Sequence, residues 1–324
     1  MTIAVGVIGT GVMGAEHARL LREEERGGHL AAVCDMDAAR AADAAKGATV
    51  FTDPLALIAA PDIDAVVIAS PDATHAALAR ACLDAGKPVL CEKPVAATAT
   101  EALDLIRAEA AVGRRLITVG YMRRFDPAYA EMKRTIDGGS LGQAVLLHNT
   151  HRNASAPDWF TGPMAVTNSF VHEIDISRWL LGAEMVSAQV HAGPGGDPLL
   201  ITMETATGQI VSTEVTMNAV YGYHVHAEVL CRTGVVGMAA PTRVLTDHGQ
   251  KHGHSWPLNW VPRFTEAYRL QMTAWLASLG DGKPVGASAW DGYAASAIAE
   301  QVVPALQSGQ KVTLTLAERP ALYA

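Results

Sequence analysis

The chain has 324 residues, of which 49% are hydrophobic, and a formal net charge of −8. That length suits two domains with sizeable cores. An acidic balance without a basic stripe argues against nucleic acid or an anionic membrane as a partner, and no apolar run approaches the roughly 18 residues that span a bilayer. The chain starts directly in a strand-like run, so we expect no secretory leader. The four cysteines form no CxxC pair, which predicts a reducing, cytoplasmic location.

The N-terminal stretch predicts a buried strand, a glycine-rich turn and a helix. Residues 3–8 are apolar and rich in β-branched side chains, as in strands covered on both faces. Gly9 allows the turn, Gly11 lets the backbone approach a pyrophosphate, and Gly14 lets the helix pack closely. The helix, predicted from Ala15 to Glu25, aims its positive end at the phosphates. The alternative is a plain βαβ unit. Predicted cofactor contacts in the turn are Gly9, Gly11, Val12 and Met13.

A second strand, residues 30–34, ends in Asp35, about 20 residues beyond the glycines, as the dinucleotide fingerprint requires. Its carboxylate can accept hydrogen bonds from the adenosine ribose. The 2′-phosphate of NADP would lie beside this carboxylate, which has the same sign of charge. For two charges ~4 Å apart at an effective dielectric near 20, the repulsion is about 4 kcal/mol. The sequence therefore predicts NAD over NADP, although Arg40 would partly offset the repulsion. The alternative role for Asp35, a turn or N-cap acid before the helix 38–46, is compatible with this one.

The next segments alternate between strands and helices, which predicts right-handed crossovers and a parallel sheet covered on both faces. Ligands bind beyond the carboxyl ends of such strands. The stretches 9–14, 70–75 and 92–94 should therefore face one crevice. Further predicted cofactor contacts are Ser70, His75, Glu92 and Lys93. The predicted strands are 64–70, 87–91 and 116–120, and the helices are 76–85 and 100–111.

Lys93 is the first candidate catalytic residue. The residue before a proline is disfavoured in helix, so Pro94 fixes the direction of the turn that carries Lys93. An ammonium beside the predicted nicotinamide can bind a substrate hydroxyl and stabilise the charge that develops on its oxygen during hydride transfer. The alternative is a solvated turn lysine that pairs with Glu92.

The pattern changes after Gly120, where we place the domain boundary: residues 1–120 and 121–324. Strand signals joined by short turns predict a mostly antiparallel sheet in the second domain, with one face on helices and the other available to a second subunit. The predicted fold is therefore α/β, a doubly wound parallel sheet followed by an α+β domain. Predicted elements beyond the boundary are a helix at 128–136 and strands at 144–149, 185–191, 199–205, 210–218, 223–231 and 234–238.

A helix predicted from Ser169 to Leu181 carries the second catalytic candidate, His172, which can act as a general base near the helix start. Asn168 lies four residues earlier and so on the same face. The alternatives are a core histidine for His172 and an N-cap role for Asn168. The string from His172 to Asp175 lacks zinc-protease spacing. His248, His252 and His254 have no completing ligand pattern, so we predict no metal and an exposed polar loop there.

These pieces resemble the glucose–fructose oxidoreductase / inositol dehydrogenase / MocA family, and within it the inositol dehydrogenase branch. The family's glycine turn, its acid after the second strand, its Glu-Lys-Pro signature and its histidine helix occur here in order, at Gly9–Gly14, Asp35, Glu92–Pro94 and His172. The resemblance covers essentially the whole chain. Stretches that resemble the inositol branch are 120–129, 151–153, 171–180, 221–228 and 290–294.

The resemblance implies an NAD-dependent oxidation of an alcohol. Lys93 would polarise the substrate oxygen and His172 would take the hydroxyl proton, while the hydride leaves the same carbon for the nicotinamide. It further implies substrate contacts by Arg123, His151 and Tyr223. The second domain would bind substrate and assemble the chain into a tetramer or dimer.

Asn168 departs from the inositol branch, which usually has an aspartate at this position. An aspartate would stabilise protonated His172, whereas an amide supplies no charge and also donates hydrogen bonds. The substrate class therefore stays open between inositol, a methylated or amino derivative, and a sugar.

Two other hypotheses retain the same fold. One is an enzyme that uses its bound cofactor in a redox-neutral reaction, and the other is a ligand sensor without catalysis. A sensor need keep neither Lys93 nor His172.

Overall fold

In the computed structural model of the chain, residues 2–23, 27–239 and 245–324 are described. The chain divides into two compact units. The first contains residues 1–122, 268–296 and 317–324, and the second contains residues 123–267 and 297–316. The two units are thus interleaved along the chain, whereas the boundary predicted at residue 120 gives two contiguous domains.

The strands in chain order are β1 Ile3–Ile8, β2 Gly28–Cys34, β3 Thr49–Phe51, β4 Ala65–Ile68, β5 Val89–Cys91, β6 Ile117–Val119, β7 Ala144–Arg152, β8 Met185–Ala192, β9 Leu199–Thr205, β10 Ile210–Thr216, β11 His224–Cys231, β12 Val235–Gly237, β13 Thr246–His248, β14 Lys251–Gly253, β15 Ala287–Ser288 and β16 Val312–Thr313. The helices are α1 Val12–Glu23, α2 Ala38–Ala45, α3 Pro54–Ala59, α4 His75–Asp84, α5 Ala99–Val112, α6 Pro127–Asp137, α7 Gly162–Met164, α8 Val171–Leu181, α9 Trp260–Asp281 and α10 Ala289–Ser308.

The first unit is built on a sheet with the order β15-β6-β5-β4-β1-β2-β3. Strands β1 to β6 pair in parallel, and β15 joins β6 in the antiparallel direction. Every residue of β4 and β5 is buried, because helices cover both faces of such a sheet. The order reverses between β1 and β4, and in doubly wound folds ligands bind at that switch point. The predicted parallel sheet is confirmed.

The second unit contains a sheet with the order β12-β11-β7-β10-β9-β8-β16. Its pairs are antiparallel except for β7 with β10. The parallel pair arises because the chain leaves β7 through the helical segment that ends with α8 and returns as the β8–β9–β10 meander. The mostly antiparallel sheet that the sequence predicts is therefore confirmed, and the parallel pair is an addition to it.

The histidine-rich stretch is a short hairpin, β13 paired with β14, rather than the predicted loop. It is largely exposed, and His252 Nδ1 lies 2.8 Å from Asp247 Oδ1. Within the described ranges, no group of three His, Cys, Asp or Glu side chains is arranged to hold a metal ion. None of the helices in those ranges has the length and apolarity to cross a bilayer.

Candidate active site

The glycine turn between β1 and α1 leaves no room for a side chain at two of its positions. Gly9 has φ +85°, and a Cβ there would lie 2.5 Å from the Ser70 nitrogen. A Cβ on Gly14 would lie 1.7 Å from the Gly9 oxygen, so α1 packs directly on the turn. The helix begins at Val12, three residues before the predicted start. The predicted end at Glu25 lies outside the described residues.

Asp35 lies directly after β2 and is held by donors from both sides. Its Oδ2 accepts hydrogen bonds from Thr10 N at 2.7 Å and Thr10 Oγ1 at 2.9 Å, and its Oδ1 accepts from Asp37 N at 2.9 Å. Arg40 Nη2 also donates to Oδ1, at 3.0 Å. Burial opposes ionisation of the carboxyl, but these hydrogen bonds outweigh it and lower the pKa of Asp35 to about 2. Asp35 is therefore anionic at neutral pH.

The N-cap of α2 is Asp37, whose carboxylate accepts from the N–H groups of Ala39 and Arg40. Of the two alternative roles for Asp35, the N-cap is therefore wrong, whereas the turn acid is confirmed, because Asp35 orders the turn through its bond to the Asp37 N–H. The turn role is compatible with binding the adenosine ribose.

A cleft of about 770 Å³ opens at this edge of the sheet. That volume lies within the range of cofactor pockets. A Cβ on Gly11 would meet no atom within 4 Å, so the turn faces open space. The small residues, the anionic Asp35 and the start of a helix fit a dinucleotide. Of the predicted cofactor contacts, those that line the cleft are Gly9, Gly11, Asp35 and Ser70.

His75 fixes the neighbouring turns and does not line the cleft. Its side chain is buried, with Nδ1 at 2.7 Å from the Pro94 carbonyl oxygen and Nε2 at 2.8 Å from the Ser70 carbonyl oxygen. It thereby ties the end of β4 to the turn after β5. Val12 is exposed at the start of α1, and Met13 is half-buried beside it.

Glu92 and Lys93 form the turn after β5, as predicted. Glu92 is buried, and its Oε1 lies 2.8 Å from Nε2 of His17, a fully buried residue of α1. Its Oε2 accepts from the backbone N–H of Lys93 at 3.4 Å. Lys93 itself is half-buried. The pair of His17 and Glu92 links helix α1 to the turn that carries Lys93, within one unit. Sequence reasoning missed His17 because 75 residues separate it from Glu92.

His172 and Asn168 lie on one continuous helical segment of the second unit, which runs from α7 to α8. Residues 165–170 form a π-helical turn, and α8 begins at Val171. Asn168 lies inside this π turn, so the alternative that made it an N-cap is wrong. Asn168 is exposed and His172 is half-buried. Single π turns occur often at functional sites, and the sequence carried no signal for this one.

Arg123, His151 and Tyr223 are brought together in the second unit, and all three are buried. Arg123 Nη1 donates to Glu173 Oε1, and His151 Nδ1 lies 3.0 Å from Glu173 Oε2. The His151 and Tyr223 rings meet edge-on, with centroids 5.9 Å apart. Glu173 directly follows His172 in α8, so this cluster holds the helix that carries the candidate base. Sequence reasoning missed Glu173. The signal that could have identified it is that a charged residue lies inside an otherwise largely apolar helix.

The charges of this buried cluster balance one another. Burial opposes ionisation of Glu173, but the charges of Arg123 and His151 prevail and lower the pKa of its carboxyl below the usual value. Burial likewise opposes the charge of Arg123, and the field of Glu173 raises its pKa. Burial raises the pKa of Tyr223 to about 12, so its phenol stays neutral. The strand predicted at 144–149 extends to Arg152, so His151 lies within β7.

Lys93 belongs to the first compact unit, whereas Asn168 and His172 belong to the second. Each unit assembles its own part of the predicted site. The convergence of the lysine and the histidine on one substrate carbon stays a prediction.

Two family models match the chain. The model described as an oxidoreductase family with an NAD-binding Rossmann fold, GFO_IDH_MocA, matches residues 3–121, and the GFO/IDH/MocA C-terminal domain model matches residues 129–237.

Similar proteins align from end to end. Inositol 2-dehydrogenase 1 of Saccharopolyspora erythraea is 48% identical over 335 residues, which cover 100% of this chain and 99% of that protein. Inositol 2-dehydrogenase of Burkholderia ambifaria is 38% identical, with 100% and 99% coverage. The crystal structure of myo-inositol dehydrogenase from Lactobacillus casei in complex with NAD(H) and myo-inositol superposes with a TM-score of 0.94 at 31% identity and covers 100% of both chains.

Proposed function

Because the chain belongs to the GFO/IDH/MocA family of NAD-binding oxidoreductases, we propose that it oxidises a secondary alcohol of a cyclitol to the ketone with NAD. The observation that carries this proposal is the end-to-end similarity to a dehydrogenase whose crystal structure contains NAD(H) and myo-inositol. When bound, NAD supplies the hydride acceptor. The cleft at the carboxyl edge of the parallel sheet, with Gly11 and Asp35 in its lining, would hold it.

The chain's own residues would handle the alcohol and its proton. Lys93 donates a hydrogen bond to the hydroxyl oxygen and stabilises its developing negative charge. His172 accepts the hydroxyl proton at an imidazole nitrogen. Glu92 fixes the turn that carries Lys93, and Glu173 anchors the helix that carries His172. Since Arg123 is 1% exposed and pairs with Glu173, we assign it a positioning role behind His151 and Tyr223.

A spectrophotometric screen of inositols, aminocyclitols and aldoses with NAD and NADP tests the proposal. We expect stoichiometric NADH formation with at least one cyclitol. Turnover without net NADH would favour a redox-neutral reaction instead. If the protein binds NAD but turns over no compound on the panel, a ligand sensor without catalysis would be favoured.

Asp35→Ser should move cofactor preference toward NADP. The change removes the carboxylate that repels a 2′-phosphate and releases Arg40, which donates to Asp35 at 3.0 Å. We expect the ratio of kcat/KM for NADP to that for NAD to rise at least tenfold, about 1.4 kcal/mol. In the double variant Asp35→Ser/Arg40→Gln, the gain for NADP should largely disappear. An unchanged ratio in Asp35→Ser would place the adenosine elsewhere.

Asn168 favours a second candidate substrate class, an amino or methylated cyclitol or a sugar. An amide there makes the predicted pocket one unit more positive than the aspartate usual in the inositol branch, and it adds donors. We expect Asn168→Asp to change the ranking of substrates on a polyol panel by tenfold or more while NAD affinity stays constant. Unchanged kcat/KM ratios across the panel would remove Asn168 from substrate selection.

We also propose that the chain works as a homo-oligomer, a tetramer or dimer, in the cytoplasm. The sheet of the second unit exposes large apolar side chains that a second copy can cover. All four cysteines are buried free thiols, as suits a reducing compartment. Exposed apolar residues on this sheet include Val186, Leu200, Ile210 and Leu230.

A further inference from the structure

A second cleft, of about 370 Å³, lies in the first unit at the opposite edge of the parallel sheet. Pro88 and Leu116 line it, and they precede β5 and β6. This edge holds the amino ends of the strands, whereas the glycine turn and Asp35 lie at the carboxyl ends. The cleft is therefore separate from the proposed cofactor site. Its apolar walls are Pro88, Leu116, Leu279, Pro284 and Leu322.

The charge of this cleft is opposite to that of the chain. Arg114 and Arg115 both line it, and none of its lining residues is acidic, although the chain carries a net charge of −8. Arg114 is exposed and Arg115 is half-buried. A concave, partly apolar surface with two guanidinium groups selects an anion.

One edge of the Arg115 guanidinium makes no hydrogen bond within the protein. Its Nε and Nη2 atoms are buried, and neither has a hydrogen-bond partner. This edge is the fork that binds carboxylates bidentately. Elsewhere in the described ranges the same two atoms of an arginine bind one carboxylate, in the pairs Arg124–Asp175, Arg152–Glu214 and Arg178–Glu184.

The carboxyl of Glu109, whose charge acts on Arg115, is engaged by other donors. Its Oε1 accepts from the N–H groups of Leu116 and Ile117, both at 2.6 Å, and its Oε2 accepts from the Tyr323 hydroxyl. These three donors engage both oxygens of Glu109, so the fork of Arg115 stays available for an acid from outside the chain.

Trp275 also lines the cleft, and its indole carries a third donor without a partner. It is 1% exposed, and its Nε1 has no hydrogen-bond partner. A buried indole N–H usually finds an acceptor, and a buried donor left unsatisfied is destabilising. Ser278 Oγ lies in the lining and donates to the Trp275 carbonyl oxygen at 2.6 Å, and it does not accept from Trp275 Nε1.

We propose that this cleft binds a small organic carboxylate with an apolar body. The carboxylate accepts two hydrogen bonds from the Nε and Nη2 atoms of Arg115 and one from Trp275 Nε1, after the half-buried arginine head turns into the cleft. Arg114 attracts the anion at the mouth, and the apolar walls cover its chain. The site is independent of the proposed dehydrogenase activity and of the cofactor cleft.

The test uses full-length, ¹⁵N-labelled protein and hexanoate as the probe, with hexanamide as the neutral control of equal size. The Trp275 indole resonance is assigned from its loss in Trp275→Phe. We expect hexanoate to move this resonance saturably at constant ionic strength, and hexanamide to bind at least tenfold more weakly. No saturable shift, or equal binding of acid and amide, would overturn the proposal, and this comparison needs no binding-site variant.

Arg115→Gln should weaken hexanoate binding at least tenfold. Arg107→Gln is the matched control, because Arg107 is an exposed arginine of α5 that pairs with Asp104, and it should bind hexanoate as the unaltered chain does. Unaltered NAD affinity and thermal unfolding would show that both variants are folded. Equal hexanoate affinity in the two variants would remove Arg115 from the site.

Discussion

Lys93→Met is expected to lower kcat/KM for cyclitol oxidation by about 10³-fold, or about 4 kcal/mol of transition-state stabilisation. Methionine keeps the unbranched side chain up to the atom before the ammonium but cannot donate to the substrate oxygen. The loss should appear mostly in kcat, because the charge on that oxygen develops during hydride transfer. Lys93 does not line the cofactor cleft, so the affinity for NAD, followed by fluorescence titration, should change little by comparison.

The matched control is Lys251→Met, which makes the same change at an exposed lysine of the β13–β14 hairpin. It should retain full activity. His172→Asn should produce a loss of about 10²–10⁴-fold, the range for removal of a general base. If both Lys93→Met and His172→Asn kept more than half of the activity, the chemistry would have to be assigned to other residues.

The first unit was predictable because its signals are local. Residues 3–8, the glycine turn and Asp35 lie within one βαβ unit, so spacing along the chain alone predicts their contacts. The segments of the same unit that lie far along the chain, residues 268–296 and 317–324, carry no such local signal. The sheet gains β15 from residues 287–288, far along the chain. In the second unit, the end of helix α10 contains Pro304, a residue that normally argues against a helix interior.

The candidate site was predictable as a set of residue types but not as a network. The strand end and the helix start made Lys93 and His172 candidates, and the resemblance supplied their expected roles together with Arg123, His151 and Tyr223. The partners that hold them are distant in sequence: 75 residues separate His17 from Glu92, and 50 separate Arg123 from Glu173. Because neither pair lies on one helix or strand, only the tertiary fold reveals which charges are buried together.

Glu173→Gln is expected to destabilise the chain by about 3–5 kcal/mol. Arg123 is 1% exposed and Glu173 is fully buried, so loss of the carboxylate leaves a buried guanidinium without its counter-charge. Glutamine keeps the shape of the side chain and one acceptor, so the change isolates the charge. The free energy of unfolding, measured in urea for the full chain, gives the effect.

Glu214→Gln is the matched control, because Glu214 also binds an arginine bidentately, Arg152, but at the surface. The two side chains of that pair are 31% and 33% exposed, so its loss should cost no more than about 1 kcal/mol. Equal effects of the two substitutions would show that burial adds nothing to the Arg123–Glu173 pair. The double variant Arg123→Met/Glu173→Met removes both charges and should recover part of the stability.

The same pair predicts how stability depends on pH. The pKa of Glu173 is lowered in the folded chain, so its contribution is fully present above the pKa of an unfolded glutamate and is lost as the pH falls through the lowered value. The gap in unfolding free energy between the unaltered chain and Glu173→Gln should therefore be constant near neutral pH and narrow below about pH 4. A gap that stayed constant into acid would mean that the cost of the substitution comes from packing, and that the charge of Glu173 contributes little to holding the helix of His172.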